Sequence, residues 1–298
     1  MALEANQGSK PDMRAVAKIN LYLAIVGKRP NGYHDLCTVF LPLPGLADDI
    51  IVEPHSAPGI VIECDAPELP VDASNLCWQA AEQFCQCFGV TPQVRSTIRK
   101  RIPIAAGLGG GSSNAAAVLL EMRRLFAPTV SDRELAALAV KLGADVPFFL
   151  RPVPSLATGI GEVLTPITVK ATPPLLLASP GFPVSAAWAY GHWRDSPKPA
   201  PPAIEDLLAA LAKGDVNAIA QLTHNDLEYC VLAKFPLLRI LRQRMLDLGC
   251  LTVHVSGSGP TLFGIGPGHG LEPDALSTLT EGVPMLKTWF FPGTAATP

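Results

Sequence analysis

The stretch 102–120, IPIAAGLGGGSSNAAAVLL, limits the possible folds more than any other part of the chain. It carries no charge and is long enough to resemble a membrane span. Four glycines, two serines and an asparagine crowd its centre, however, and such a cluster breaks regular structure. The reading is a glycine loop at 107–111 that enters a helix from about Ser112 to Phe126. Glycines let backbone amides approach a ligand and adopt positive φ. A helix start adds unpaired N–H groups and the positive end of the dipole. Gly107, Leu108, Gly109, Gly110, Gly111, Ser112 and Ser113 therefore form a candidate phosphate cradle. The plainer alternative is a flexible turn beside a small-residue helix contact.

The loop does not match the common nucleotide motifs. A Walker A loop ends in Gly-Lys-Ser/Thr, and no Lys follows here. GxGxxG fails because Ser112 stands where the third glycine belongs, and GxSxG fails as well. A second loop, Ser256-Gly257-Ser258-Gly259-Pro260-Thr261, lies between two predicted strands and reads on its own as a hairpin turn.

Residues 14–28 alternate between apolar and polar, so they read as a strand with Lys18 and Asn20 on one face. Pro30, Asn31 and Gly32 then mark a turn. A strand pair is expected over 36–53, a helix from Asn75 to about Phe88 and a strand over 93–102. Ser131 and Glu134 form a capping-box pattern for a helix that Gly143 closes, with Asp145 just beyond. Helices follow near 204–213, 215–228 and 235–248, then strands at 251–255 and 261–265. Strands and helices mix without regular βαβ alternation, which indicates an α+β fold.

Composition narrows the function. With 298 residues, the chain is one large domain or two ordinary ones. Net charge is −3 and the pI about 6.1, which argues against a general nucleic-acid binder or a polybasic membrane binder. Proline, at 30 residues, is about twice its usual share of roughly 5%, and its clustering at 171–203 suggests a long loop there. Seven cysteines show no CxxC spacing and read as core thiols of a reducing compartment. The first residues lack a signal-peptide pattern, so a soluble, cytoplasmic protein is expected.

Three segments together resemble the GHMP kinase superfamily: AKINLYLAIVGKRPNGYH at 17–34, PIAAGLGGGSSNAA at 103–116 and HVSGSGPTLF at 254–263. The GKRPNGYHDL turn, LGADVPFF and ATGIGEVLTP at 157–166 resemble one branch of it, whose substrate is a cytidyl-diphosphate sugar alcohol in isoprenoid precursor synthesis. The resemblance implies a two-domain α+β fold, with domains at 14–160 and 161–298 and the ATP and substrate sites in the cleft between them. It implies transfer of phosphate from ATP, with Mg²⁺, to a hydroxyl of that small molecule, with no nucleic acid or membrane involved. Oligomeric state is left open. Another small-molecule GHMP kinase, of the homoserine or mevalonate type, is the alternative, and a ligand sensor of the same fold is a third reading.

Residue by residue, the resemblance makes Asp145 the group that orients the hydroxyl and takes its proton, and Lys18 its electrostatic partner. On position alone, Asp145 reads as a helix-end carboxylate and Lys18 as a solvated strand lysine. Asn20 is carried over as a contact to the substrate hydroxyl. Tyr33 becomes a ring stacked on cytosine, His34 a hydrogen-bonding partner of the base, and Tyr190 the second ring, with Trp188 as its rival. Ala186 stands where the family often has Thr. Asn75 and Lys100 match positions near the nucleoside, against plainer readings as a helix cap and a solvated strand charge. Asn114 takes the place of an Asp found in many members and is read as serving the phosphates. No metal ligand is assigned, as expected for magnesium held by phosphates and water.

Overall fold

The computed structural model describes residues 13–194, 198–266, 276 and 279–294. Two compact units emerge, and neither is continuous in sequence. Of the described residues, the first takes 13–16, 47–101 and 111–150, and the second takes 17–46, 102–110 and those from 151 onward. Strands β1 (Met13–Lys28) and β2 (His34–Pro54) contribute residues to both.

In the first unit, the end of β2 pairs antiparallel with β4 (Gln93–Arg99), which pairs parallel with β3 (Gly59–Cys64). Helix α1 (Leu76–Phe88) buries Cys77, Ala80, Ala81, Phe84 and Cys85, the spacing of a single helical stripe. Helix α2 (Gly110–Phe126) opens at Gly110, two residues before the expected start. It buries Ser113 through Leu119 without a break, because small side chains let neighbours approach on every side. Helix α3 (Asp132–Leu142) carries the expected capping box between Ser131 and Glu134 and ends at Gly143. The five-residue α4 (Val146–Leu150) follows.

In the second unit, a hairpin of β5 (Ser155–Thr158) and β6 (Val163–Pro166) pairs with the start of β2. A four-stranded antiparallel sheet runs in the order β11-β7-β10-β9, where β7 is Leu175–Ser179, β9 Thr252–Val255, β10 Leu262–Ile265 and β11 Lys287–Phe291. Its two faces go to different apolar clusters. Leu175, Leu177, Phe263 and Ile265 pack in one, with α6 (Ile204–Lys213) and α7 (Val216–Leu222). Leu176, Ala178, Val253, Val255 and Leu262 pack in the other, with α8 (Glu228–Lys234) and α9 (Pro236–Asp247). Burial on both faces explains the unbroken apolar run of β7.

Four expectations need correction. The predicted strand pair at 36–53 is a single strand, β2, because Pro44-Gly45 stays extended instead of turning. The proline-rich segment 171–203 contains β7 and a helix, α5 (Ala186–His192). The helix expected at 215–228 is interrupted by β8 (His224–Asn225), which pairs parallel with Tyr22 and Leu23 of β1. Cys77, Cys85, Cys230 and Cys250 are buried as expected, but Cys87 is exposed and Cys37 and Cys64 are half-buried. None of the seven is in a disulfide. Among the described residues, no helix is long and apolar enough to cross a membrane.

Candidate active site

The polar face of β1 is not solvated. Lys18 and Asn20 are each 4% exposed, and the Lys18 ammonium donates to Asn20 Oδ1 at 2.5 Å. Asn20 Nδ2 donates to Thr38 Oγ1 at 2.9 Å, and that hydroxyl donates to the Tyr22 carbonyl at 2.6 Å. The Lys18 ammonium also lies 4.9 Å from the centre of the Phe40 ring. A buried ammonium is costly unless partnered, so this chain of contacts is what permits Lys18 to point inward.

The two glycine loops lock onto each other and onto this strand. Lys18 N donates to the Leu108 carbonyl at 3.0 Å, and Thr261 N to the Ala106 carbonyl at 3.2 Å. Ser256 Oγ donates to the Gly107 carbonyl at 2.9 Å. Gly107 has φ +77°, and a Cβ there would lie 2.1 Å from the Ser256 carbonyl oxygen. The position therefore requires glycine on both conformational and steric grounds. The second loop is the hairpin connection anticipated, since Val255 pairs with Leu262, and it also packs against the first loop.

Asp145 occupies the turn between Gly143 and α4, half-buried, in the first unit. Asn75 caps α1: its Oδ1 accepts from Cys77 N at 2.8 Å, and its Nδ2 donates to the Pro70 carbonyl at 2.6 Å. The Lys100 side chain is 8% exposed, with its ammonium on Asp48 Oδ2 and, at 3.1 Å, on Asn114 Oδ1. Asn114 Nδ2 donates to the same carboxylate at 2.8 Å. The side chain of Asn114 thus ties α2 to Asp48 on β2 and to Lys100 just past β4.

The turn after β1 is closed by Gly32 N donating to the Arg29 carbonyl at 3.0 Å, and it leaves Tyr33 57% exposed. His34 is buried and stacks on Tyr190, with ring centres 5.4 Å apart and planes 21° from parallel. Trp193 meets His34 edge-on at 6.1 Å. Trp188 is turned elsewhere: it stacks on His192 at 4.8 Å and carries the Lys234 ammonium 3.9 Å from its ring centre. Burial, with the charges of Lys28 and Arg194, holds the His34 imidazole below its ordinary value of 6.5.

Several residues were not anticipated. Asp226 takes Ile25 N at 2.7 Å and His224 Nε2 at 3.0 Å, with the Lys198 ammonium at 3.8 Å. Burial pushes this carboxyl up, but the His224 and Ile25 hydrogen bonds and the Lys198 charge outweigh it, so it titrates below its ordinary range. Asn225 and Trp193 also escaped notice, and from sequence Ser256 reads only as part of a hairpin turn. The Asn-Asp pair within 215–228 was a usable signal, because both residues favour turns over helix interiors.

Comparison with known proteins agrees with this architecture. The family model of the GHMP kinases N-terminal domain matches residues 75–151, and that of the GHMP kinases C-terminal domain matches 207–283. A 4-diphosphocytidyl-2-C-methyl-D-erythritol kinase of Synechococcus sp. (strain JA-2-3B'a(2-13)) is 42% identical, covering 92% of this chain and 91% of that protein. One of Citrifermentans bemidjiense is 37% identical over 94% and 97% of the two chains. A crystal structure of 4-(cytidine 5'-diphospho)-2C-methyl-D-erythritol kinase, 36% identical, superposes with a TM-score of 0.75 over 96% of this chain and 99% of that one. A homoserine kinase from Cytophaga hutchinsonii, 17% identical with a TM-score of 0.66 over 97% and 98% of the two chains, shares the fold. The chain is an ATP-dependent small-molecule kinase of the GHMP superfamily and belongs to the 4-diphosphocytidyl-2-C-methyl-D-erythritol kinase family.

Proposed function

We propose that this protein transfers the γ-phosphoryl group of ATP to the 2-hydroxyl of 4-diphosphocytidyl-2-C-methyl-D-erythritol, giving the 2-phosphate and ADP, in isoprenoid precursor synthesis. The observation that carries the choice of substrate is the aromatic group around His34. The buried imidazole is stacked on Tyr190, and the exposed Tyr33 is its neighbour in the chain. A pyrimidine is recognised by ring faces together with polar edge contacts, and this group offers both. Tyr190 is assigned as the stacking ring because it lies against His34, whereas Trp188 lies against His192 and Lys234.

In the reaction, the 2-hydroxyl oxygen attacks the γ-phosphorus and the bond to the bridging oxygen of ADP breaks. The hydroxyl proton passes to the Asp145 carboxylate as the new bond forms, since an alkyl alcohol is too weak an acid to ionise first. Lys18 stabilises charge on the transferring group, and Asn20 holds the acceptor hydroxyl. The backbone amides from Gly107 to Ser113 cradle the ATP phosphates. In this reading, Asn75 and Lys100 shape the nucleoside's surroundings through the cap and the ion pair they form. No group of three or more His, Cys, Asp or Glu side chains suited to a metal exists among the described residues. In this reading Mg²⁺ is bound mainly through phosphate and water, and the hydroxyls of Ser112 and Ser113, within the cradle, are the side chains that would hold it. Bound there, Mg²⁺ would neutralise phosphate charge.

The test is ATP consumption with Mg²⁺ and either the cytidyl compound or the same sugar phosphate lacking cytidine. Turnover of the cytidyl compound alone, with phosphate on the 2-hydroxyl, is expected. Equal use of both refutes the aromatic assignment. Asp145→Asn is expected to bind ATP normally while turnover falls about 10²- to 10⁴-fold. Near-normal turnover removes Asp145 from the chemistry.

A further inference from the structure

We infer that Asn225 is a positioning residue that sets both glycine loops for catalysis, although it lies on neither. It is fully buried and pairs with Leu23 in the parallel bridge to β1. Its side chain makes three bonds. Nδ2 donates to the Val255 carbonyl at 2.6 Å and to the Gly257 carbonyl at 2.8 Å, and Oδ1 accepts from Leu227 N at 2.9 Å. The first two bonds hold both sides of the turn at Ser256 from within the core.

That turn is in contact with two parts of the proposed site. Ser256 Oγ donates to the Gly107 carbonyl, and Asn20 N approaches the same hydroxyl at 3.4 Å. Gly257, at φ +55°, presses so close to Asn20 that a Cβ would lie 3.0 Å from Oδ1. The Gly259 amide donates back to the Ser256 carbonyl at 2.9 Å and closes the turn. Asn225 therefore fixes Ser256 and Gly257, and these in turn fix Gly107 and Asn20. An amide suits this post: it supplies two donors to two carbonyls and an acceptor to an N–H, and Asp cannot supply the donors when ionised. Leaving the two buried carbonyls without a partner releases the loop.

The inference rests on the reading that the Gly107 loop holds the ATP phosphates, so its test includes a measurement that needs no acceptor. ATP binding is followed by calorimetry, and kcat with the cytidyl compound, in Asn225→Ala, Asn225→Asp and Ser256→Ala. Asn225→Asp retains the acceptor for Leu227 N and loses the donors, so it separates loop support from support of the local turn. Both variants at 225 are expected to weaken ATP about tenfold and lower kcat on the order of 10- to 100-fold, since a displacement near 1 Å is enough for such losses. The KM for the cytidyl compound, set at His34 and Tyr190, is expected to stay within about threefold. Ser256→Ala should shift ATP affinity and kcat in the same direction, and the Asn225→Ala/Ser256→Ala pair should lose less than the product of the single losses. Wild-type ATP affinity and kcat in a folded Asn225→Asp protein overturns the inference, as does a fully multiplicative double variant. If neither variant at 225 folds, unchanged ATP affinity and kcat in Ser256→Ala overturns it alone. An unaltered protein that binds ATP but ignores the cytidyl compound refutes the substrate assignment, while the ATP measurements still decide the role of Asn225.

Discussion

Replacing Gly107 by Ala adds one methyl group at the place where the two glycine loops meet, and its consequences follow from three features of the structure. The backbone there has φ +77°, so any Cβ costs roughly 1–2 kcal/mol from conformation alone. The new carbon would stand 2.1 Å from the Ser256 carbonyl oxygen and 3.0 Å from Gly259 N, both backbone atoms that cannot swing aside. The loops must then part by about 1 Å, which breaks the 2.9 Å bond from Ser256 Oγ to the Gly107 carbonyl at a further cost of about 1 kcal/mol. The sum is about 2–3 kcal/mol, or a fall in Tm of roughly 3–5 °C by thermal unfolding. A displacement of that size in a phosphate loop should also lower kcat/KM on the order of 100-fold in the coupled ATP assay. Gly111→Ala is the internal comparison. No atom outside its own stretch of helix lies within 4 Å of where a Cβ would stand, and its φ is not positive, so stability is expected to rise by about 0.4–1 kcal/mol. A Gly107→Ala protein with the Tm and turnover of the unaltered chain refutes the argument that the loops are sterically locked.

Other expectations follow from the same geometry. Tyr190→Ala should raise the KM for the cytidyl compound by the equivalent of about 1–3 kcal/mol of stacking, while Trp188→Ala leaves it near its starting value in steady-state kinetics. Lys100→Met takes the ammonium away from the buried Asp48 carboxylate, whose bonds from Asn114 Nδ2 and Arg101 N cannot replace a cation, and should cost about 3 kcal/mol in denaturant unfolding. His34 carries a pH dependence with a definite sign. The unfolded chain takes up its proton as pH falls through about 6.5, whereas the folded chain resists to lower pH, so the folded state loses stability in that interval. The Tm of the unaltered protein should therefore fall more between pH 7 and 5 than that of His34→Gln, and equal falls in the two proteins contradict the assignment.

Local rules were enough to read much of this chain. Ser131 and Glu134 announced a capping box, Asn75 a helix cap, and the alternation of 14–28 a strand with Lys18 and Asn20 side by side, because each depends on neighbours within a few residues. The motifs at 17–34, 103–116 and 254–263 were legible for the same reason and carried the family with them. What tertiary structure alone decided depends on partners far along the chain. Nothing near Lys100 in sequence says that it will meet Asp48 instead of water, a choice made by burial of the β2–β4 pair. Trp188 and Tyr190 are two residues apart on one short helix, and only the packing of Lys234 against one and His34 against the other tells them apart. Asn225 looked like the interior of a helix until β1 supplied its strand partner and the 255–257 carbonyls took its amide. Neighbouring residues set the pieces and their chemistry. Long-range packing decided which buried polar groups meet, because each must find a partner once water is excluded.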